Sequence, residues 1–400
     1  MKKEYKIFML YSFFSSAVFT RGVFIAYLLQ VKGLTLLEIA TFQSIYMISS
    51  SLFQVPTGVF ADKYGKSKSL IIGAMITALI NLAIIFVSGS YVNVLFIIAS
   101  FEALGRAFSS GTDNALFFEL LDNEGVKDKY IHLHSKIMMI SSIITGLSIL
   151  IGGFISEWSW NFLYLATSAM YFLSLIMAVM LQKYEKHKPI IQLVENKSKK
   201  RVLKFYQLHE NILFKPVWIF VATIFSLNLL DGLLGSYFNI NQIILENLGI
   251  SNRWIGIFFS ALYLVGASAY PLTARFKKRY TSSTLTIIIL SLMLISFMGI
   301  LFIDNRVLFL LFTGAICLLP EMLYTLTDNA IQMNIKSNFR ATILSAFSII
   351  NSMASAISYL FLGVLIGNYG FTTMFTILAI IIAIHFSLAL FVKLKFQKAL

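Results

Sequence analysis

Seven charged side chains lie inside long apolar stretches of this sequence, where a charge is energetically costly. A charge left in hydrocarbon is destabilising unless it faces a partner or a water-filled cavity. These residues are therefore the first candidates for binding a polar solute or a proton within a membrane. They are Arg21, Glu102, Arg106, Asp113, Asp231, Glu321 and Asp328.

Helical spacing places several of these charges on common faces. Residues four or seven positions apart return to nearly the same side of a helix, so Glu102, Arg106 and Asp113 form one stripe. Glu321 and Asp328 form a matching stripe later in the chain. Two alternatives stay open. Arg106 could pair with Glu102 one turn away, and Asp113 and Asp328 could each form a buried cap or a pair that holds its helix to a neighbouring helix.

The two stripes belong to an internal repeat. Its markers recur at one offset of 215 residues, Thr112 to Ala115 with Thr327 to Ala330 and Pro56 with Pro271. The same offset pairs Asp113 with Asp328 and Arg106 with Glu321, so one charge is kept and the other is reversed. A repeat of this length within 400 residues predicts two homologous halves.

The composition is typical of a membrane protein, with 58% hydrophobic residues, 12% charged residues and a mean hydropathy of +0.81. An apolar helix needs roughly 20 residues to cross the hydrocarbon core. We predict an all-α membrane protein with twelve transmembrane helices in two pseudo-symmetric six-helix bundles, residues 1–182 and 216–400, joined by a cytoplasmic basic linker at 183–215. The predicted spans are 7 to 30, 36 to 60, 69 to 88, 92 to 121, 135 to 156, 160 to 182, 216 to 245, 253 to 274, 282 to 303, 307 to 334, 341 to 366 and 371 to 394.

The net charge of +14 is distributed unevenly along the chain. Most Lys and Arg residues lie in the termini and the even-numbered connections, against Lys32, Arg253 and Arg306 in the odd-numbered ones. This positive-inside pattern predicts that both termini and the linker lie in the cytoplasm. The basic charge then faces anionic lipid, and we predict no nucleic-acid partner.

Other chemistry lacks its motif. The tripeptide Gly65-Lys66-Ser67 is like the end of a phosphate-binding loop, but Phe60 stands where that loop needs glycine. We find neither HExxH nor a nucleophile elbow, and one cysteine, Cys317, cannot form an internal disulfide. The sequence predicts no enzyme, no metal site and no cofactor.

The connection between the second and third predicted spans carries the most specific pattern. Glycines, a small residue, an aspartate and bases stand in a fixed order at Gly58, Ala61, Asp62, Lys63, Gly65 and Lys66. This pattern resembles the signature loop of the major facilitator superfamily. The run from Arg106 to Gly111 resembles a second motif of that superfamily, one linked in proton-coupled members to proton movement.

The resemblance implies two six-helix bundles around a central cavity that opens alternately to either side. It also implies that Asp62 and its neighbours stabilise one state at the cytoplasmic face. We expect Gly58 and Gly65 to allow close helix approach, and Asp62 to lie near a helix N-terminus with a favourable dipole. In the alternative interpretation, Lys63 and Lys66 only set the topology.

The whole chain is similar to bacterial twelve-helix exporters of the macrolide-efflux type, which implies a multi-pass protein of the bacterial plasma membrane. The Gly-Pro pair of many antiporters is replaced by Ser148-Ile149. Because acids outnumber arginines among the embedded charges, we predict a monomer that exports an amphipathic cationic or zwitterionic small molecule in exchange for protons. The alternative is proton-linked uptake of a small metabolite, with Arg21 and Arg106 binding an anionic group.

Overall fold

A computed structural model describes six stretches of the chain, residues 3–126, 130–185, 215–266, 268–302, 305–334 and 337–396. The side chains at 131, 215–221, 270, 328–346 and 395–396 lie outside this description. All regular elements in the described stretches are helices.

The first predicted span is not one continuous helix. It consists of α1 (Lys3–Ser16), a 3-10 segment (Phe19–Gly22) and α2 (Phe24–Gln30), with a bend of 41°. The backbone leaves helical geometry at Val18, which is extended (φ −104°, ψ 92°). Arg21 therefore lies on a short irregular segment.

Two long helices follow, α3 (Leu36–Tyr64) and α4 (Lys66–Phe86). The start of α3 is fixed by a capping box, in which the Thr35 hydroxyl accepts the N–H of Glu38 (3.3 Å) and the Glu38 carboxylate accepts the N–H of Thr35 (2.8 Å). A Thr-x-x-Glu pattern in the sequence identifies this cap without coordinates.

The end of α4 is closed by a lysine from the preceding connection. Lys32 lies between α2 and α3, and its Nζ donates to the carbonyl oxygens of Val87 (2.6 Å) and Ile85 (3.4 Å). Unpaired carbonyls at a helix C-terminus are stabilised by such a cation. Burial lowers the pKa of Lys32. This lysine has a structural role in addition to its place in the charge distribution.

The fourth predicted span is also broken, although the sequence pattern suggests a continuous helix. It is formed by α5 (Val92–Ser109) and α6 (Thr112–Asn123), which together remain long and apolar enough to cross a membrane. The break lies at Gly111, where φ is +73°. Glycine adopts this left-handed conformation without the steric cost that other residues incur.

Two further helices complete the first half of the chain, α7 (Tyr130–Trp158) and α8 (Trp160–Gln182). On α7, Gly152 lies directly against the 3-10 segment, and a Cβ added there would overlap the carbonyl of Phe19. Close approach of backbones at glycine is a common packing device between membrane helices. It allows α7 to support the irregular segment that carries Arg21.

The second half contains one helix for three of its six predicted spans, two helices for the span at 253–274, and one helix across the last two spans. Its elements are α9 (Lys215–Asn247), α10 (Asn252–Gly266), α11 (Ala269–Lys277), α12 (Ser282–Phe302), α13 (Arg306–Asn334) and α14 (Ser337–Phe396). Gly370 interrupts α14 with non-helical geometry (φ 76°, ψ 177°), between the last two predicted spans. Among the described residues, 8 helices are long and apolar enough to span a membrane, or up to 10 if each bent pair counts as one span.

Close packing divides the chain into two compact units. The first unit lies within Met1–Phe205 and Gln242–Leu264, and the second unit lies within Tyr206–Asn241 and Val265–Leu400. Most of the linker predicted at 183–215 lies outside the described residues. The domain limits at 182 and 216 therefore stay a prediction.

Candidate solute-binding pockets

The first unit contains a pocket of about 410 Å³, called the first pocket below. Cavities that bind metabolite-sized molecules have volumes of roughly 300–1,000 Å³. Its chemistry is set by two arginines, an aspartate and three tyrosines, which are Arg21, Arg106, Asp113, Tyr11, Tyr46 and Tyr171. Three of the seven candidate residues from the sequence therefore meet in one cavity.

Both helix breaks of the first unit line this pocket. The break in the first span contributes Ser16 and Arg21, and the break in the fourth span contributes Ser110 and Asp113. Irregular backbone is tolerated at membrane depth only where it is buried in protein or lines a wet cavity. The breaks thus supply backbone groups and charged side chains to the same space.

The Arg106 guanidinium contacts an aromatic ring, but one of its nitrogen atoms lacks a hydrogen bond within the described stretches. Its guanidinium carbon lies 5.7 Å from the ring centroid of Tyr171, within the range of a cation–π contact. Its Nε is buried and has no hydrogen-bond partner among the described residues. Glu102 interacts electrostatically with Arg106, yet Glu102 is not part of the pocket lining.

Arg21 is exposed, and its backbone is fixed by a glutamine at the end of α9. Gln242 accepts the N–H of Ile25 (3.1 Å) and donates weakly to the carbonyl of Arg21 (3.5 Å). The Arg21 guanidinium carbon lies 5.2 Å from the ring centroid of Tyr263. These contacts, all within the first unit, position the second arginine of the pocket.

Asp113 lies in the first turn of α6, because the break at Gly111 creates a new helix N-terminus there. Its carboxylate accepts the N–H of Asn114 (2.8 Å). The Asn114 side-chain oxygen lies 2.8 Å from Nε2 of His134 on α7. Sequence reasoning did not identify His134, since a single histidine near a helix start carries no recognisable pattern.

The second unit contains a pocket of about 350 Å³, called the second pocket below. It is lined by α9, α13 and α14, and Asp231 is the only charged residue among its described lining residues. Asn351 donates to the Asp231 carboxylate (2.7 Å) and to the carbonyl of Asn228 (3.4 Å). The partner of this acid is therefore a neutral amide.

Two further candidates from the sequence, Glu321 and Asp328, are not among the described lining residues of the second pocket. Glu321 is exposed on α13 and interacts electrostatically with Asp231, but it is not among the residues that line the second pocket. The side chain of Asp328 lies outside the described residues, while its neighbour Thr327 lines the second pocket. Asn351 was missed by the sequence reasoning, although an asparagine in an apolar run is itself costly to bury.

The signature loop is organised by a carboxylate that the sequence reasoning missed. Glu185, just beyond α8, accepts the backbone N–H groups of Lys66 (2.6 Å) and Ser67 (3.0 Å) in the first turn of α4. Gly65 has φ of +108°, and a Cβ there would lie 3.3 Å from the Glu185 carboxylate. A carboxylate at a helix N-terminus satisfies unpaired N–H groups and meets the positive end of the helix dipole.

The remaining loop residues differ from their expected roles. Asp62 lies in the last turn of α3, so the expectation of a favourable N-terminal dipole at this residue is wrong. A Cβ on Gly58 would meet no atom of the described residues within 4 Å, so this glycine makes no close approach to the described helices. Lys63 lies 5.1 Å from the ring centroid of Tyr64, and Lys66 forms an ion pair with Glu119 (2.6 Å).

Known structures share this fold. The chain is similar to the nucleoside transporter NupG (TM-score 0.74, 14% identity, 97% of this chain and 98% of that chain). It is also similar to the peptide transporter POT in complex with sulfate (0.73, 15%, 100% and 95%) and to a D-xylose-proton symporter (0.71, 13%, 97% and 96%). No curated protein sequence matches the chain.

A family comparison agrees with the signature loop. Residues 7–335 match the family described as the Major Facilitator Superfamily, which covers most of the chain. No group of three or more His, Cys, Asp or Glu side chains within the described stretches is placed to hold a metal ion. The chain is a multi-pass membrane transport protein rather than an enzyme, and it belongs to the Major Facilitator Superfamily.

Proposed function

We propose that this chain is a secondary active transporter that exports a small amphipathic zwitterionic or cationic molecule in exchange for protons, by alternating access. In this proposal it acts as a monomer of twelve transmembrane helices in a bacterial plasma membrane, with both termini in the cytoplasm, like the efflux-type exporters that it resembles. The observation that carries the proposal is that each unit has a pocket with an embedded acid, Asp113 in the first and Asp231 in the second.

The surroundings of Asp231 support exchange of a proton for a cationic group. Its hydrogen-bond donor, Asn351, is neutral, and none of the described residues that line the second pocket is a cation. Either a proton or a cationic group of the solute can therefore compensate its charge, and the two compete for one carboxylate. Competition of this kind links the release of one to the binding of the other.

Proton-linked uptake of a small metabolite is the second candidate. It is favoured by the two guanidinium groups of the first pocket, Arg21 and Arg106, because arginine binds carboxylate and phosphate groups with good geometry. The two candidates differ in the direction of net transport, which a vesicle assay measures directly.

The test uses inside-out membrane vesicles that contain the full chain and have an acidic interior. A zwitterionic rhodamine with a free carboxylate, and its cationic ester, serve as the fluorescent probes. We expect the acidic interior to drive accumulation of the zwitterionic dye in the vesicles, and we expect Asp231→Asn to abolish that accumulation. Glu119→Gln is the matched control, since this acid pairs with Lys66 outside both pockets.

Two results would contradict the proposal of export. Dye loss from preloaded vesicles, driven by the same gradient, would show that the carrier runs in the uptake direction. Accumulation that is unchanged in Asp231→Asn would show that the second pocket takes no part in proton coupling.

A further inference from the structure

We propose that the first pocket binds an oxyanion group of the transported molecule, a carboxylate or a phosphate, through Arg21 and Arg106. The cargo then carries a negative group in addition to any positive one, which excludes simple cations. This inference deepens the proposed function and rests on it for the role of the pocket in transport. It does not depend on the direction of transport or on the coupling ion.

The charge balance of the first pocket is the first argument. Its described lining contains two guanidinium groups and one carboxylate, that of Asp113. That carboxylate already accepts a backbone N–H from Asn114 (2.8 Å) and interacts electrostatically with His134. Glu102, which lies outside the lining, interacts electrostatically with Arg106. Arg21 is therefore the guanidinium of the lining that no ion pair engages within the described stretches, and an anionic group in the pocket would supply its counter-charge.

The unsatisfied polar atoms are the second, independent argument. Nε of Arg106 and the hydroxyl of Tyr171 are both buried without a hydrogen-bond partner among the described residues. A buried donor without an acceptor is destabilising, because it has lost its hydrogen bonds to water. Both residues line the first pocket, so two unpaired donors lie beside the space in which an acceptor group would bind.

The geometry of arginine selects the kind of acceptor. A guanidinium presents its donors as a planar fork that matches two oxygens of a carboxylate or phosphate. The guanidinium carbon of Arg106 lies 5.7 Å from the ring centroid of Tyr171, so this fork is placed beside an aromatic ring. Arg21 is held in a similar way over the ring of Tyr263 (5.2 Å), and no ion pair engages it within the described stretches.

The experiment measures binding without knowledge of the natural cargo. The full chain is purified in detergent, and thermal unfolding is followed with a thiol-reactive fluorophore. Cys317 is the only cysteine of the sequence and is buried, so it reacts when the protein unfolds. The probes share one phenyl skeleton: 3-phenylpropionate, phenyl phosphate, phenylalanine and phenylalanine methyl ester.

We expect the three probes with an oxyanion to raise the unfolding midpoint in a saturable way, and the methyl ester to leave it unchanged. Arg21→Gln and Arg106→Gln should each weaken the apparent affinity at least tenfold, and Arg106→Lys should weaken it less. Arg253→Gln is the matched control. Arg253 also lies over an aromatic ring, that of Phe154 (4.6 Å), but it is not part of the pocket lining.

Four outcomes would overturn the inference. The first is that the methyl ester raises the unfolding midpoint as much as phenylalanine does. The second is that no oxyanion probe raises the midpoint at 50 mM. The third is that the midpoint shift persists in the double variant Arg21→Gln with Arg106→Gln. The fourth is that phosphatidylglycerol micelles raise the midpoint and the four probes do not, which would assign the site to a lipid headgroup.

Each variant is compared with its own midpoint without probe, so a less stable variant still reports on binding. Failure here is separable from failure of the proposed function. Oxyanion binding without gradient-driven dye accumulation would refute proton-coupled export and keep the site. Dye accumulation without oxyanion binding would refute the oxyanion site and keep proton-coupled export.

Discussion

The two pockets differ first in the backbone that forms them. In the first unit, the helices that carry Arg21 and Asp113 are interrupted next to the pocket. In the second unit, α9 passes Asp231 and α13 passes Thr327 without interruption. A break at membrane depth adds free backbone groups to a cavity, whereas a continuous helix contributes only side chains.

The internal repeat shows how small a change produces this difference. Both copies contain Thr-Asp-Asn-Ala, but Gly111 precedes the first copy and Leu326 precedes the second. Gly111 adopts φ of +73°, and α6 begins with the next residue. Leucine disfavours that conformation, so α13 continues through the motif. The shared aspartate thus lies at a helix start where glycine precedes the motif and within a helix where leucine does.

The pockets also differ in charge. Two guanidiniums give the first pocket a positive excess, while the described lining of the second pocket carries one acid and neutral partners. In our proposal, the first pocket binds an anionic group and the second pocket exchanges a proton. This division of roles can be tested by changing one half at a time.

The largest expected effect comes from neutralising the acid of each pocket in turn. Asp231→Asn keeps the shape of the side chain but cannot release a proton, and we expect the initial rate of gradient-driven dye accumulation to fall at least 100-fold. Exchange of dye down its own gradient should persist in this variant. Asp113→Asn should slow both processes about tenfold and leave their pH dependence intact. Loss of gradient-driven accumulation in Asp113→Asn, with only a general slowing in Asp231→Asn, would contradict the proposed difference between the pockets.

An intermediate effect should follow when the first copy is made to resemble the second. Gly111→Leu places a side chain at φ of +73°, which costs about 1–2 kcal/mol, and we expect a lower unfolding midpoint together with slower transport. The control is Gly235→Ala on α9, where a Cβ would meet no atom of the described residues within 4 Å, and we expect its midpoint to be equal to or above that of the parent protein. Equal unfolding midpoints for the two variants would show that a side chain at position 111 causes no strain in the backbone.

The smallest effect concerns the signature loop. Glu185→Gln removes the charge that faces the N-terminus of α4, and we expect a loss of about 1 kcal/mol in the free energy of unfolding. Glu119→Gln should cost about 0.5 kcal/mol or less, because its ion pair with Lys66 is partly exposed to solvent. Thermal unfolding of the two variants side by side measures the difference. A larger loss in Glu119→Gln would assign the loop's stability to the ion pair.

Local signals in the sequence predicted several features correctly. The signature loop indicated the superfamily, apolar runs indicated the multi-pass helical fold, and Thr35 with Glu38 indicated a cap that the structure confirms. The cost of embedded charge also selected Arg106 and Asp231, which each line a pocket, and their role in transport stays a prediction. Such features depend on residues that are close in sequence or on the chemistry of single residues.

Features that depend on distant residues were not predictable in the same way. Glu185 and Lys66 are 119 positions apart, and no periodicity relates them. Asn351 and Asp231 are 120 positions apart. The break at Gly111 was missed for another reason, since a single glycine within an apolar run is compatible with a continuous helix.

The contact of Glu185 with the first turn of α4 has a practical consequence for dividing this protein into two co-expressed fragments. A cut placed directly after α8 would remove that carboxylate from the N-terminal fragment and leave two amide groups of α4 unsatisfied. A cut placed some residues beyond Glu185 keeps the carboxylate with its fragment. Reassembly of the fragments should therefore depend on which side of this single residue the chain is opened.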